Sequence, residues 1–236
     1  MVSEHATSAA AAHDGDRLAA KRRYRSPRRL MQAEQTRAGV IAAASRVFAE
    51  RGWIAANMRD VAREAAVSVE TLYSGFGSKA GLLGAALDVA IVGDDEPVPF
   101  AERAEAAAMA TGPTVIARAR TAAQVVTAIN ERIHRLDQAL RQGALVEEAL
   151  AERLAASEAS RRVAVARGAT LVAQREVTTA EVDEIAVLTS SVVYDLLVRS
   201  SGWSNSQYEH WLASRLAELI QRNPEHPGKE RLDDRE

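Results

Sequence analysis

Residues 68–79, SVETLYSGFGSK, hold the densest group of side chains with chemical potential in this chain. Hydroxyl side chains, an acid and two aromatics precede a lysine that follows a glycine-rich stretch. Two kinds of chemistry fit these residue types. One is a loop that holds a phosphate through glycine amides and the lysine; the other is a short helix that reads DNA.

The spacing disfavours the phosphate loop. Such a loop needs glycine directly before the lysine and another glycine five residues earlier. Here Ser78 separates Gly77 from Lys79. The segment also begins with a helix-capping serine and follows a helix, whereas a phosphate loop follows a strand. A short DNA-reading helix is therefore the better interpretation.

Capping and periodicity predict that helix and its two predecessors. Apolar residues at spacings of three and four predict a first helix over about residues 34–51. Asn57 is a good N-cap for a short second helix, and Ala66 and Val67 break it. Ser68 caps the third helix, which ends at Gly75 and Gly77, and a longer helix runs from Ser78 to about residue 92.

This arrangement is a helix-turn-helix. A short helix, a turn of three to four residues and a second helix place the front of the second helix in the DNA major groove. The charge distribution also favours DNA binding. Residues 17–79 hold 13 Lys or Arg against 5 Asp or Glu, a net charge of +8. Since the whole chain has a net charge of −2, the remaining residues carry −10. One end of the protein is suited to a polyanion.

Four regions follow from composition. Residues 1–33, which include KRRYRSPRR at 21–29, are predicted to be a disordered basic arm that either solubilises the chain or contacts DNA. Residues 34–80 form the helix-turn-helix domain. Residues 81–222, which include an acidic linker at 93–99, form a helical domain with one helix or a pair of helices over 147–174. Residues 223–236 are predicted to be a flexible tail.

Residues 37–92 contain the segments AASRVFAERGW, MRDVAREAAVSVETLYSGFGSK and AGLLGAALD. In their order and spacing, these segments resemble the DNA-binding domain of the tetracycline-repressor (TetR) family of transcriptional regulators. Residues 188–220 resemble the dimer-forming end of one branch of that family, and the middle of the chain matches only as helix. The resemblance implies an all-α fold, with an N-terminal three-helix head before a helical ligand-binding and dimerisation domain.

The resemblance also implies DNA contacts at nine positions. Three of them stand where helix N-termini face phosphates, Thr71 meets a base edge, and Tyr73 and Arg59 contact phosphates. The nine are Asn57, Arg59, Ser68, Val69, Glu70, Thr71, Tyr73, Ser74 and Lys79.

The sequence departs from the family pattern at several of these positions. Val69 and Glu70 stand where lysine and glycine are frequent, and Ala66 replaces a glycine that is usual in the turn. A glutamate repels phosphate, but it can accept a hydrogen bond from a cytosine amine. The base preference is therefore left open.

The helical half offers fewer signals. Asn130 and His134 fall on one flank of a helix, so they are candidate ligand contacts together with Tyr194, although a solvated helix flank and a packed core tyrosine explain them as well. The last two helices are apolar on two sides, which indicates packing within the chain and against a second copy. The predicted interface is Ile185, Leu188, Val192, Leu196, Trp211, Leu212, Leu216 and Leu219.

Other classes of protein have little support. The chain has no cysteine, its five histidines are scattered, and no catalytic motif is visible, so we expect neither an enzyme nor a metal site nor a cofactor. No signal peptide or apolar span is evident, and we expect a cytoplasmic protein that does not enter the membrane.

We thus expect a homodimeric regulator that binds near-palindromic operator DNA and is a repressor released by a small apolar or amphipathic effector, with activation as the variant. The alternative is a helical ligand-binding or scaffold protein whose affinity for DNA is weak or lost.

Overall fold

The computed structural model describes residues 27–93 and 107–222, and every element in these ranges is a helix. The all-α fold class is thereby confirmed. We number the helices in chain order: α1 (Pro27–Ala55), α2 (Met58–Glu64), α3 (Val69–Phe76), α4 (Lys79–Val92), α5 (Val115–Ala144), α6 (Glu148–Ala173), α7 (Thr179–Leu188), α8 (Ser191–Tyr194, continued by the π-helical turn Asp195–Ser200) and α9 (Asn205–Gln221).

The first helix differs from its predicted bounds. It begins at Pro27, whereas we expected the basic arm to reach residue 33, and proline suits a first helical turn because its missing N–H has no helical partner there. Residues 1–26 of the predicted arm, residues 94–99 of the linker and the tail from 223 lie outside the described residues. Chain contacts separate Met1–Ala38 from a second unit, Gly39–Glu236, and two hydrophobic cores lie within that second unit.

The head, which we define as residues 39–92, packs around the first of these two cores. Val61 of α2, Leu72 of α3 and Leu82 of α4 are buried to within 1% exposure and pack with residues of α1. The same cluster continues into Leu140 of α5 and Leu150 of α6. The head is thus packed directly on the helices that follow it.

The turn before α3 is held by a pair of backbone hydrogen bonds. The N–H of Val67 donates to the carbonyl of Ala62 at 3.0 Å, and that of Ala66 donates to Arg63 at 3.3 Å. This is the Schellman arrangement that ends many helices, and it requires a left-handed residue where Ala66 stands. Ala66 has a φ of 53°, so the alanine that replaces the family's glycine adopts glycine's backbone conformation.

The body, which we define as residues 107–222, packs around a second core. Ala123 of α5, Ile185 of α7, Tyr194 of α8 and Leu212 of α9 are among its buried members. The predicted segment 147–174 is one helix, α6. Arg118 is 5% exposed and donates to the carbonyls of Val172 (2.7 Å) and Gly112 (2.8 Å), which satisfies a buried helix end.

The penultimate helix predicted from the apolar stripe is wrong as a single element. It is broken between Leu188 and Ser191, because Ser190 leaves the helix and its hydroxyl caps α8 by accepting from Val193 N at 3.2 Å. A periodic apolar pattern continues across such a break, so periodicity alone does not reveal it.

Replacing Ala66 with glycine should stabilise the protein. A left-handed alanine costs about 1–2 kcal/mol, of which the greater entropy of an unfolded glycine cancels part, so we expect a gain of about 0.5–1 kcal/mol. The free energy of unfolding from urea titration measures it. Ala151→Gly on the exposed face of α6 is the matched control and should lose about 1 kcal/mol. A loss in both variants would contradict the strain at Ala66.

Candidate nucleic-acid interface

Helix α3 presents polar side chains outward from a buried anchor. Leu72 is fully buried in the head core, whereas Glu70, Thr71, Tyr73 and Ser74 are exposed. This split follows from helix geometry, since one buried position leaves its neighbours on the outer faces. The front half of α3 therefore offers a row of acceptor and hydroxyl groups to a partner.

The beginning of α3 is fixed by Ser68. Its hydroxyl accepts a hydrogen bond from Thr71 N at 3.2 Å and lies 3.0 Å from the Thr71 hydroxyl. A hydrogen bond within Glu70 to its own backbone and another with the Ser68 side chain lower the pKa of Glu70. Glu70 is thus a carboxylate at neutral pH, held at the front of the helix. Val69 is half-buried and packs against the head core, so it is the least available of the predicted contacts.

Helix α2 carries one arginine that is available to contact DNA. Arg59 is exposed, and of the basic residues between Gly39 and Lys79 it alone makes no hydrogen bond or ion pair with a described residue. Asn57 caps α2 as predicted: its side-chain oxygen accepts from Asp60 N at 3.0 Å. The Asp60 carboxylate is 2.7 Å from Arg51 and 2.8 Å from Arg63, so these arginines are already paired.

The Lys79 side chain binds within the chain in this structure. Its Nζ donates to the Trp53 carbonyl and lies 3.9 Å from the centre of a Trp53 ring, so the ammonium makes a cation–π contact as well. Partial burial lowers the pKa of Lys79, against which the nearby Glu147 carboxylate acts. The ammonium is thus engaged by Trp53, and the predicted DNA contact of Lys79 stays a prediction.

Trp53 is the residue that sequence reasoning missed. It is 6% exposed, stacks on Phe48 at 6.1 Å between ring centres, and its backbone N–H donates to the Gln142 side chain at 3.1 Å. Gly143 lets α5 approach, because a Cβ there would lie 3.0 Å from a Trp53 ring atom. We call these contacts of Trp53 with Gln142, Gly143 and Lys79 the Trp53 clamp. A tryptophan beside a glycine was the only signal in the sequence.

The comparisons with known proteins agree with this geometry. Residues 40–86 match the family model of bacterial regulatory proteins, tetR family. Residues 40–86 therefore form a TetR-type DNA-binding domain. With its helix-turn-helix head, the chain is a DNA-binding transcriptional regulator.

Solved structures share the fold at low identity. A protein from Rhodococcus sp. described as a TetR-family transcriptional regulator is 21% identical with a TM-score of 0.60, over 79% of this chain and 99% of that one. A transcriptional regulator from Pseudomonas aeruginosa PAO1 is 16% identical with a TM-score of 0.60, over 80% and 91%. A TetR-like regulator from Rhodococcus sp. RHA1 is 21% identical with a TM-score of 0.51, over 76% and 91%. No curated protein sequence matches the chain.

The predicted ligand contacts lie together in the body. The rings of His134 and Tyr194 are 5.3 Å apart, and Nε2 of His134 is buried without a hydrogen-bond partner in the described part of the chain. Asn130 is 2% exposed and donates to the Thr189 carbonyl (3.1 Å) and the Tyr208 hydroxyl (3.3 Å). The Asn130 amide is thus engaged in joining helices. Burial raises the pKa of Tyr208 to about 12, so its hydroxyl is un-ionised.

The predicted dimer residues divide into two sets. Side chains of the first set have an exposed fraction of at most 4% because their own chain covers them, so their part in a dimer interface stays a prediction. This set is Ile185, Leu212, Leu216 and Leu219. Val192 is 44% exposed and Leu196 55% exposed, and Leu188 and Trp211 are half-buried. Val187, 62% exposed, adds to this surface and was not predicted.

No single helix within residues 27–93 and 107–222 is long and apolar enough to cross a bilayer. Helices α3 and α4 reach that length and composition only as a pair, and the pair is bent by 69°.

Loss of the Gln142 side chain should loosen the Trp53 clamp. Gln142→Ala leaves the Trp53 N–H without its acceptor, and an unsatisfied amide in a half-buried place costs about 1–2 kcal/mol. We expect that loss in the free energy of unfolding, with faster hydrogen exchange at the Trp53 amide. Gln124→Ala, on the exposed face of the same helix, should change the free energy of unfolding by less than about 0.5 kcal/mol. Equal effects of the two changes would contradict the clamp.

Proposed function

We propose that this TetR-family protein is a homodimeric repressor that binds a near-palindromic operator through α3 and is released by a small apolar or amphipathic ligand bound in the body. The observation that carries the proposal is the outward row of Glu70, Thr71, Tyr73 and Ser74 on a helix anchored by the buried Leu72. A two-fold dimer brings two such helices to major grooves about 34–36 Å apart, which is why the operator is near-palindromic.

The proposed DNA contacts have separate roles. Thr71 meets a base edge with its hydroxyl or a thymine methyl with its own methyl. Tyr73, 52% exposed, and the exposed Arg59 bind phosphates on either side. The N-termini capped by Asn57 and Ser68 offer backbone amides to further phosphates. Lys79 joins them only if it leaves the Trp53 carbonyl.

The proposed dimer surface is apolar and lies on consecutive elements of the body. Val187 of α7 and Val192 and Leu196 of α8 are exposed, and exposed apolar groups that recur along neighbouring helices favour a partner helix. A dimer through these residues leaves the helix-turn-helix heads free to contact DNA together.

The proposed ligand site is the body interior around His134, Tyr194 and Asn130. The support is chemical: rings of Tyr194 and Tyr208 lie 5.1 Å apart beside the unpaired Nε2 of His134. Aromatic surface with a few polar atoms is the usual lining of small-molecule sites. An apolar or amphipathic ligand suits such a lining.

DNA binding and its roles are tested by titration of purified protein against duplexes selected from random sequence, at several salt concentrations. We expect Thr71→Ala to lose about 1–3 kcal/mol of binding free energy with relaxed base preference, and Arg59→Ala to weaken binding to all sequences and reduce the salt slope by about one. Arg167→Ala, an exposed arginine of α6, is the control and should leave the salt slope unchanged. If Arg59→Ala behaves like that control, the assigned phosphate contact is wrong.

One charged substitution in the proposed interface tests the dimer surface. Leu196→Glu places a carboxylate in the proposed interface, so the dimer should dissociate at protein concentrations where the wild type stays paired in sedimentation equilibrium. Val163→Glu, on an exposed apolar residue of α6, is the matched control and should stay dimeric. A wild type that is monomeric at micromolar concentration would exclude the proposed dimer.

A second function remains open: a helical ligand-binding or scaffold protein with weak DNA affinity. The observation that favours it is the lack of any Lys or Arg in α3, together with the carboxylate of Glu70. A regulator keeps a site-specific excess over random DNA in the salt titration, whereas a scaffold does not. Measuring transcription from the bound promoter with and without the protein distinguishes an activator from a repressor.

A further inference from the structure

Helix α3 is unusual in what it can and cannot hydrogen-bond. Its residues Val69–Phe76 include no cation, and the nearest lysine, Lys79, is bound to the Trp53 carbonyl. The commonest way to read guanine is a bidentate contact from arginine or lysine to its O6 and N7 acceptors. The described head has no such side chain on α3, so guanine acceptors have no strong reader there.

Glu70 is the strongest hydrogen-bonding group on the exposed face of α3. It lies in the first turn, is exposed, and is an acceptor only. A carboxylate brought to DNA is repelled by phosphates, and it gains from the contact only where it meets a base donor. In the major groove the donors are the cytosine N4 amine and the adenine N6 amine, and acidic side chains pair with cytosine N4.

The turn before α3 positions the Glu70 carboxylate for a contact with a base amine. The Ser68 hydroxyl fixes the first turn of α3, which contains Glu70, by accepting a hydrogen bond from Thr71 N. Leu72, fully buried two residues later, prevents the helix from rotating Glu70 away. The front residues of a recognition helix are those that reach base edges.

We propose that Glu70 is a specificity-determining residue that reads the amine of a cytosine in each operator half-site. This inference rests on the proposed function, since it requires that α3 enters the major groove. A TetR-type head does not by itself specify the operator sequence. The inference specifies one base pair of it: the operator carries a C·G pair at the position that faces Glu70. The same carboxylate weakens binding to DNA that lacks the cytosine, because the repulsion from phosphates is then uncompensated.

The test is selection of duplexes from random sequence by the wild type, Glu70→Ala and Glu70→Gln. The wild type should enrich one C·G pair in each half-site. Glu70→Ala should lose the preference at that pair alone. Glu70→Gln should shift it toward A·T, because an amide side chain pairs with adenine. Glu50→Gln, which removes the same charge from the exposed surface of α1, should keep the wild-type motif.

A chemical probe isolates the amine. N4-methylcytosine still pairs with guanine but carries a methyl group where the amine hydrogen faces the major groove. Placed at the enriched pair, it should weaken wild-type binding about tenfold and leave the affinity of Glu70→Ala unchanged. A motif that all variants share, or equal weakening of wild type and Glu70→Ala, would overturn this inference alone. A wild type that enriches no motif would remove the proposed function and this inference together.

Discussion

The anchoring of Trp53 is the constraint on which the arrangement of head and body depends. Its backbone N–H is bound by Gln142, its ring lies against Gly143, and its carbonyl holds Lys79 at the start of α4. Gly52, with a φ of 66°, makes the turn that brings the tryptophan there, and a Cβ at that glycine would lie 2.6 Å from the Gln142 oxygen. Helix α3 is packed between α2 and α4. Its direction relative to the body therefore depends on where the contacts of Trp53 hold the head.

Helix α4 is held to the body along the rest of its length by arginines. Arg132 of α5 donates to the carbonyls of Ala90 (2.8 Å) and Ile91 (3.2 Å), which satisfies the C-terminal end of α4. Arg153 of α6 donates to Gly84 O at 3.3 Å and pairs with Asp88. These directional bonds couple α4 to α5 and α6. Under the proposed function, they are the route by which a ligand in the body acts on the head.

The sequence predicted local features well and long-range partners poorly. The caps Asn57 and Ser68 and the buried Leu72 depend on residues within one or two turns, and each lies where it was expected. The Trp53 partner of Lys79 lies 26 residues away, and nothing local in the sequence points to it. Leu212 shows a related limit: its own chain buries it, whereas an apolar residue on a helix does not reveal whether its own chain or another covers it.

The central claim is that α3 is the element that meets DNA, and the lack of cysteine in the chain allows a direct measurement. Ser74→Cys, on the exposed side of α3, can carry an iron chelate that cleaves nearby DNA, and Ala151→Cys on α6 serves as the remote site. On a selected duplex, we predict that the chelate at position 74 cuts at two discrete places that lie about one helical turn apart. The chelate at position 151 should make no cut. No cleavage from position 74, or the same pattern from both positions, would contradict the account.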